Sequence, residues 1–277
     1  MRDLSRDSRF LSLNTATLRR ERPLAEVVPA LAAAGVPGIG PWREQIQAAG
    51  IKAAARLIGD HGLVVSGVSR AGVFTARGRA GFQAVLDDNR RAVDEAAGIG
   101  AHCLVLIGGG LMPGSRDIAE ARALVAEGLA ALLPHARAAG LPLAIEPLHP
   151  MYAADRACIN TLAQANDLCD ALGQGLGVVV DVYHTWWDPN LEREIARAGK
   201  RILAFHLSDW LVPTTDLLLD RGMMGDGVID LKRIRGWVEA AGFEGLCEVE
   251  IFSERNWWRL PMAEVIETCI ERYRTMC

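Results

Sequence analysis

The chain has 277 residues, 50% of them hydrophobic, which is enough for one large core and within the usual size of a single α/β barrel. A net charge of -4 and a pI near 5.9 give no basic surface of the kind that binds nucleic acid. The first seven residues are mostly charged or polar, and no apolar run reaches the ~18 residues of a membrane span, so neither a secretory signal nor a membrane contact is predicted. Six cysteines without CxxC spacing indicate reduced thiols in a cytoplasmic protein.

Short apolar strands alternate with longer amphipathic segments along the chain. Strands are predicted over residues 10–14, 36–40, 63–68, 102–107, 141–145, 178–180, 202–205 and 246–250. Helices are predicted over residues 23–34, 45–61, 80–97, 119–139, 161–172, 191–198, 231–241 and 262–276. In the third helix, for example, Phe82, Leu86 and Val93 fall on one stripe.

Eight strand–helix units without a Gly/Pro/Ser-rich linker predict one domain over residues 1–277, folded as a single (β/α)8 TIM barrel of the α/β class. A doubly wound sheet is the alternative architecture. It would ordinarily carry a Gly-rich first turn that opens a helix. The turn at residues 14–17 has no glycine, and Gly108-Gly109-Gly110 does not match GxGxxG, so the barrel is favoured.

Four strands in the second half of the chain end in an acid or an imidazole. These residues are Glu146, Asp181, His206 and Glu250. In a parallel barrel the carboxyl ends of all strands meet on one face, so the four side chains could share one cation. Three carboxylates with one imidazole suit Mn²⁺, Mg²⁺ or Co²⁺, and Zn²⁺ less selectively. Each residue alone could equally cap a helix or pair with an arginine.

Glu248 has to be weighed against Glu250, because a period of two places both on the same face of the last strand. Glu250 is preferred as the ligand because it is nearer the carboxyl end, where barrel sites form. Glu248 lies one layer deeper and could instead orient a ligand.

Several side chains just beyond the strand ends could contact a bound small molecule. His149 and His184 each follow a predicted ligand by three residues, and Asp209 follows His206 by three. Arg221 could form a fork for substrate oxygens. Trp186 is one of six tryptophans placed just after strands, where indole rings suit stacking on a sugar. The alternatives are backbone-bonded loop histidines, a helix cap, a surface ion pair and a subunit interface.

These motifs together resemble the xylose isomerase-like TIM barrels, in the sugar phosphate isomerase/epimerase group that includes ketose 3-epimerases and inosose dehydratases. The resemblance covers essentially the whole chain. The matching segments are Glu146-Pro147-Leu148, Asp181-Val182-Tyr183-His184, His206-Leu207-Ser208-Asp209, Arg221 ahead of Gly225-Asp226-Gly227-Val228-Ile229-Asp230, Glu248-Val249-Glu250-Ile251-Phe252, and Gly38-Ile39-Gly40-Pro41-Trp42.

The resemblance implies one divalent metal ion held by Glu146, Asp181, His206 and Glu250, with His184 and Arg221 in contact with substrate. The two glutamates would also act as the acid and base. The expected activity is isomerisation or epimerisation of a ketose or keto-sugar, by proton abstraction next to a metal-bound carbonyl through an enediolate. The partner is then a small-molecule sugar, and exposed tryptophans are consistent with a homodimer or homotetramer.

Three other functions remain as alternatives. The first is a dehydratase or lyase on a keto-cyclitol or keto-sugar, which would begin with the same proton abstraction. The second is a sugar- or metal-binding barrel without catalysis. The third is a phosphodiesterase, which the endonuclease IV relatives of this family exemplify. Those relatives need further histidines at the ends of strands two and three, where this chain has Gly40-Pro41-Trp42 and Val68-Ser69-Arg70. No Lys/Ser/Gly phosphate cradle follows the last two strands, which favours an unphosphorylated substrate.

Overall fold

Parallel strands form the centre of the molecule in the computed structural model, which describes residues 2–19 and 21–277. The strands are β1 Leu11–Asn14, β2 Gly38–Gly40, β3 Val64–Val65, β4 Val68–Gly72, β5 Leu104–Ile107, β6 Leu143–Ile145, β7 Leu176–Asp181, β8 Ile202–Leu207, β9 Asp209–Trp210, β10 Arg221–Gly222 and β11 Cys247–Val249. Nine of them form one sheet in the order β3-β2-β1-β11-β8-β7-β6-β5-β4.

The two edges of this sheet belong to one extended segment, so the sheet closes into a barrel. β3 pairs with β2, β4 pairs with β5, and only Ser66 and Gly67 separate β3 from β4. Backbone hydrogen bonds join this segment to the fifth strand across the junction, from His102 N to Val65 O at 3.0 Å and from Val68 N to Cys103 O at 3.1 Å. The predicted (β/α)8 barrel is therefore confirmed, with residues 64–72 as its third strand.

Helices surround the barrel. They are α1 Leu24–Ala33, α2 Arg43–Ala49, α3 Ile51–Asp60, α4 Gly78–Gly98, α5 Ile118–Ala138, α6 Leu162–Leu172, α7 Val182–Thr185, α8 Leu191–Ala198, α9 Leu231–Ala240 and α10 Met262–Met276. Four short 3-10 turns lie at Thr15–Leu18, Pro150–Tyr152, Gly199–Arg201 and Trp257–Arg259. Phe82, Leu86 and Val93 of α4 are buried, as their spacing predicted.

Three of the departures from the predicted elements concern the lengths of a helix and two strands. The predicted helix over residues 45–61 is two helices, because Gly50 between α2 and α3 has a φ of +81°. The third strand continues beyond residue 68 to Gly72. The strand predicted over residues 246–250 is shorter in the structure and ends before Glu250. The backbone N–H of Glu250 still donates to Leu207 O at 2.9 Å.

The alternation of side chains along the strands separates two buried regions. Most large apolar residues lie between the sheet and the helices. Inside the barrel, smaller residues pack together, including Ala144, Val179 and Ala204. Each of these three stands two residues before a predicted ligand. A period of two therefore directs Glu146, Asp181 and His206 into the barrel mouth.

All six cysteines are free and buried, as expected for reduced thiols. None of the helices that the structure describes combines the length and the apolar character needed to cross a bilayer.

Candidate metal centre

The four residues predicted to share a cation meet at the carboxyl end of the barrel. Glu146 directly follows β6, Asp181 is the last residue of β7, His206 lies in β8 and Glu250 directly follows β11. One candidate ligand atom from each residue lies within 4.8 Å of those from the others, and all four residues are buried. The structure thus brings together an imidazole and three carboxylates from four separate strands.

Hydrogen bonds and ion pairs connect these side chains to one another and to Arg221. His206 Nδ1 lies 3.1 Å from Glu146 Oε1. Arg221 Nη1 donates to Glu250 Oε2 at 3.1 Å and lies 3.5 Å from Asp181 Oδ2. Asp181 Oδ1 accepts from the backbone N–H of Tyr183 at 2.7 Å. One guanidinium therefore faces two of the three carboxylates.

Burial changes the proton affinities of the acidic groups. It raises the pKa of Asp181 to about 6 and the pKa of Glu250 to about 7, although Arg221 opposes both shifts. Burial alone would lower the pKa of His206, but Glu248 and Glu146 raise it to about 10. In the absence of a cation, this cluster therefore holds protons near neutral pH.

The donor set fits a divalent cation. Among the described residues, none hydrogen-bonds to Asp181 Oδ2, although this atom is buried. Three buried carboxylates exceed the charge of one guanidinium, so a dication would balance the remainder. Carboxylate oxygens with one imidazole nitrogen are ligands that Mn²⁺, Mg²⁺, Co²⁺ and Zn²⁺ all accept. The cluster could therefore hold a metal ion.

Glu248 lies below this cluster, inside the barrel. Its Oε1 accepts from Asn14 Nδ2 at 2.7 Å and lies 3.8 Å from His206 Nε2, while Ser66 donates to Oε2. Gly40 leaves the space for this carboxylate, because a Cβ there would be 2.3 Å from Glu248 Oε1. Glu248 is thus placed behind the imidazole rather than among the four clustered side chains.

Two of the four residues, Glu146 and Glu250, line a cleft of about 460 Å³, including its open mouth. Of the residues predicted to contact substrate, His184 and Arg221 line it. The cleft is also lined by residues for which no substrate contact was predicted. Those that matter here are Arg70, Arg156 and Phe252. Arg70 belongs to Val68-Ser69-Arg70 at the predicted end of the third strand, so the sequence could have indicated it as a candidate. Arg156 lies in a loop without a recognisable pattern.

His184 stands on α7, a single turn that no periodicity predicted. Its Nε2 is 3.2 Å from Arg221 Nη2, and its Nδ1 is 3.2 Å from the backbone nitrogen of His149. Burial, and next the charge of Arg221, hold the pKa of His184 well below its usual value, so the ring is neutral at pH 7. A neutral imidazole has one acceptor nitrogen, so only one of these contacts can be a full hydrogen bond at a time.

Three other predicted substrate contacts lie outside the lining of the cleft. The His149 ring stacks on Trp210 with 5.0 Å between centroids, and Trp186 packs against the same indole at 5.7 Å. Asp209 accepts backbone hydrogen bonds from Trp210, Gly225, Gly227 and Ile229 at 2.8–3.0 Å. Contact with a ligand in this cleft would require these side chains to move, so their substrate role stays a prediction.

Asp209 also explains how Arg221 reaches the site. β9 and β10 form an antiparallel ribbon in the loop after β8, with Arg221 opposite Trp210. The Asp209 carboxylate fixes the turn that follows β10 through its bonds to residues 225–229. The Arg221 guanidinium then lies between the rings of Tyr183 and Phe252, at 4.5 and 4.4 Å from their centroids.

The sequence and the structure match known proteins. Residues 28–275 match the family model described as xylose isomerase-like TIM barrel. A solved protein of Sinorhizobium meliloti 1021 is 59% identical, with a TM-score of 0.96 over 98% of this chain and 99% of that one. A comparison with curated proteins gave no significant match.

Two more distant structures share the fold. The IOLI protein with a binding zinc atom is 20% identical, with a TM-score of 0.81 over 95% of each chain. D-psicose 3-epimerase, solved in the presence of D-fructose, is 16% identical, with a TM-score of 0.78 over 95% of this chain and 96% of that one.

Proposed function

Because the chain belongs to the xylose isomerase-like TIM barrel family, we propose that it is a divalent-metal-dependent isomerase or epimerase of a ketose or keto-sugar. The observation that carries the proposal is the buried cluster of Glu146, Asp181, His206 and Glu250, of which Glu146 and Glu250 line a cleft. The proteins that share the fold include an enzyme that epimerises a ketose, and one with zinc bound.

Glu146, Asp181, His206 and Glu250 would hold the metal ion. When bound, a divalent cation supplies Lewis acidity that stabilises negative charge developing on substrate oxygens. Mn²⁺, Mg²⁺ and Co²⁺ match the oxygen-rich set, and Zn²⁺ also fits.

Glu146 and Glu250 are the acid and base in this proposal. A carboxylate oxygen of one takes the proton from the carbon next to the substrate carbonyl, and the carboxyl group of the other returns a proton. Return to the opposite face inverts that carbon. Return to the former carbonyl carbon, with the proton of the adjacent hydroxyl moving to the former carbonyl oxygen, isomerises the sugar. Both side chains are buried around one small volume, which excludes competing water.

Arg221 and His184 orient the substrate. Arg221 Nε is buried and has no hydrogen-bond partner among the described residues, so one donor of the guanidinium remains for a substrate oxygen. His184 is neutral and lines the cleft, so its ring can form one hydrogen bond with a substrate hydroxyl group.

The test is isotope exchange in heavy water. The Mn²⁺-loaded protein is incubated with a set of ketoses and keto-cyclitols in D₂O, and proton loss at each substrate carbon is followed by NMR. Deuterium incorporation next to the carbonyl is expected, and either Glu146→Gln or Glu250→Gln should reduce its rate at least about a hundredfold. Glu267→Gln, an exposed position on α10, is the matched control.

The outcomes separate the alternatives. A product lighter by one water would identify the dehydratase instead. Turnover without label would exclude proton abstraction. A protein that binds Mn²⁺ and a sugar but never exchanges the proton, even at high enzyme concentration, would be a binding barrel.

A further inference from the structure

Two guanidinium groups line the cleft in addition to Arg221. They belong to Arg70, on the third strand, and Arg156, in the loop after β6. Neither forms an ion pair with the four clustered side chains, so the proposed metal site does not explain their presence.

Arg156 has no counter-charge. Among the residues that the structure describes, no carboxylate lies within the 4.0 Å of an ion pair with its guanidinium, and its buried Nε makes no hydrogen bond. The side chain is half-buried and packs 5.3 Å from the ring centroid of Tyr152. A cation held in this way beside a cleft has donors available for an incoming acceptor.

Arg70 is directed to the cleft by an irregular strand. The pairing of β4 with β5 shifts register between Val68 and Ala71, and Arg70 adopts a φ of +75° within that irregularity. Bulges of this kind redirect side chains, and strained residues concentrate at functional sites. The guanidinium lies 4.9 Å from the Trp42 ring centroid and 3.1 Å from Glu44 Oε1, so its charge is partly shared.

Arg156 and Arg70 place positive charge on the wall of the cleft, apart from the metal site. Two carboxylates of that site already pair with Arg221, and Glu248 lies beside His206. Arg156 has no ion-pair partner among the described residues, and Arg70 shares its charge with Glu44. An anion that enters the cleft would therefore meet two guanidinium groups.

We propose that Arg156 and Arg70 form an oxyanion subsite, so that the substrate is a keto-sugar carrying a carboxylate or phosphate group. Guanidinium groups bind both groups through paired hydrogen bonds. The keto-sugar part of this substrate rests on the proposed function. The subsite itself can be tested by binding measurements alone.

The probes are D-fructose, D-fructuronate and D-fructose 6-phosphate, which differ in the group at one end of the molecule. Each is titrated into the Mn²⁺-loaded protein, and affinity is taken from the rise in melting temperature with ligand concentration. One or both acids should bind at least about tenfold more tightly than D-fructose, which is the effect of one charged hydrogen bond. The acid that binds more tightly shows whether carboxylate or phosphate is the group recognised.

Variants locate the subsite. Arg156→Gln should remove the preference for the acid over D-fructose, and Arg156→Lys should retain part of that preference. Arg70→Gln should give a smaller loss, because Glu44 already shares that charge. Arg193→Gln is the control, since Arg193 is exposed on α8 and pairs with Glu194.

Equal affinity for the three probes would overturn the subsite, and so would a full acid preference in both Arg156→Gln and Arg70→Gln. The subsite and the proposed function can fail separately. Acids that bind through Arg156 without proton exchange would refute the isomerase and leave the subsite. Exchange on D-fructose with the same kcat/KM in Arg156→Gln, together with no acid preference, would refute the subsite and leave the isomerase.

Discussion

The carboxylate of Glu248 is the nearest acidic group behind the imidazole of His206, with 3.8 Å between Oε1 and Nε2. Asn14 and Ser66 hold this carboxylate in place, and Trp42 Nε1 in turn donates to Asn14 Oδ1 at 2.8 Å. Carboxylates behind metal-binding histidines fix the ring and increase its basicity. We therefore expect Glu248 to position His206 rather than to act as a further ligand.

Replacing Glu248 by Gln should lower Mn²⁺ affinity about tenfold or more, because the ring loses its anionic partner. The pKa of His206 in the metal-free protein should also fall, since Glu248 is the strongest of the groups that raise it. Affinity is measured by competition with a chelator, and the His206 pKa by NMR titration of the ring.

Glu239→Gln provides the matched control for Glu248→Gln. Glu239 is also a buried glutamate, but it pairs with Arg2 and Arg235 away from the site, so its loss should affect stability and not metal affinity. Equal Mn²⁺ affinity in Glu248→Gln and the unmodified protein would show that the carboxylate only fills space.

At the scale of residues, the sequence predicted the side chains that strands position more completely than those that loops position. Glu146, Asp181 and His206 follow apolar runs, and the period of two fixes the face on which each lies. Arg156 gave no such signal, because its position depends on the path of the loop after β6. Asp209 lies three residues after His206, as the predicted substrate contact required. Its carboxylate instead accepts hydrogen bonds from the backbone of the next loop.

Among the secondary structure elements, the break between α2 and α3 shows what periodicity alone cannot predict. Ile46, Ala54 and Ile58 are buried and fit one helical stripe, so the pattern runs through Gly50 without interruption. The break depends on backbone conformation, because φ +81° and ψ 136° at Gly50 lie outside the helical region. The short ribbon of β9 and β10 was likewise unpredicted, since two-residue strands carry no period.

Gly50→Ala should destabilise the protein by about 2 kcal/mol, because a side chain disfavours this conformation. No atom lies within 4 Å of the Cβ that would be added, so steric contact does not contribute. Gly59→Ala is the matched control. It lies inside α3 with equally open surroundings and should stabilise the protein by about 0.5–1 kcal/mol. Urea unfolding measures both, and the same sign for the two variants would contradict the explanation.

On the scale of the whole barrel, the buried acids link metal binding to pH. The raised pKa values of Asp181 and Glu250, about 6 and 7, mean that the folded metal-free protein retains protons that the unfolded chain releases. This contribution to stability is fully present below the unfolded pKa values and is lost as pH rises through the folded ones. A metal ion needs the same groups deprotonated, so its stabilising effect should grow with pH.

We therefore expect Mn²⁺ to raise the melting temperature more at pH 8 than at pH 5. At a hundred times its Kd, a ligand stabilises by about 2.7 kcal/mol, or roughly 5 °C for a domain of this size. Calorimetry at fixed metal concentration measures the rise, with EDTA as the metal-free reference. A rise that is equal at both pH values would show that these carboxylates are not the ligands.

The sequence could predict the closed barrel as the fold class, because eight alternating strand–helix units without a linker permit few other arrangements. The sequence could not predict the junction between β3 and β4. Residues 64–72 form one extended segment, but its first part pairs with β2 and its second part with β5. The last step in closing such a sheet depends on long-range pairing, which a local pattern does not contain.

The burial of all six thiols has a practical consequence for spectroscopy. Burial raises the pKa of every one of them, so maleimide reagents at neutral pH should leave the folded chain unlabelled. A single exposed cysteine, such as Leu217→Cys in the loop ahead of β10, would then accept a fluorophore without deletion of any native cysteine. The native chain can thus serve directly as the background for site-specific labelling.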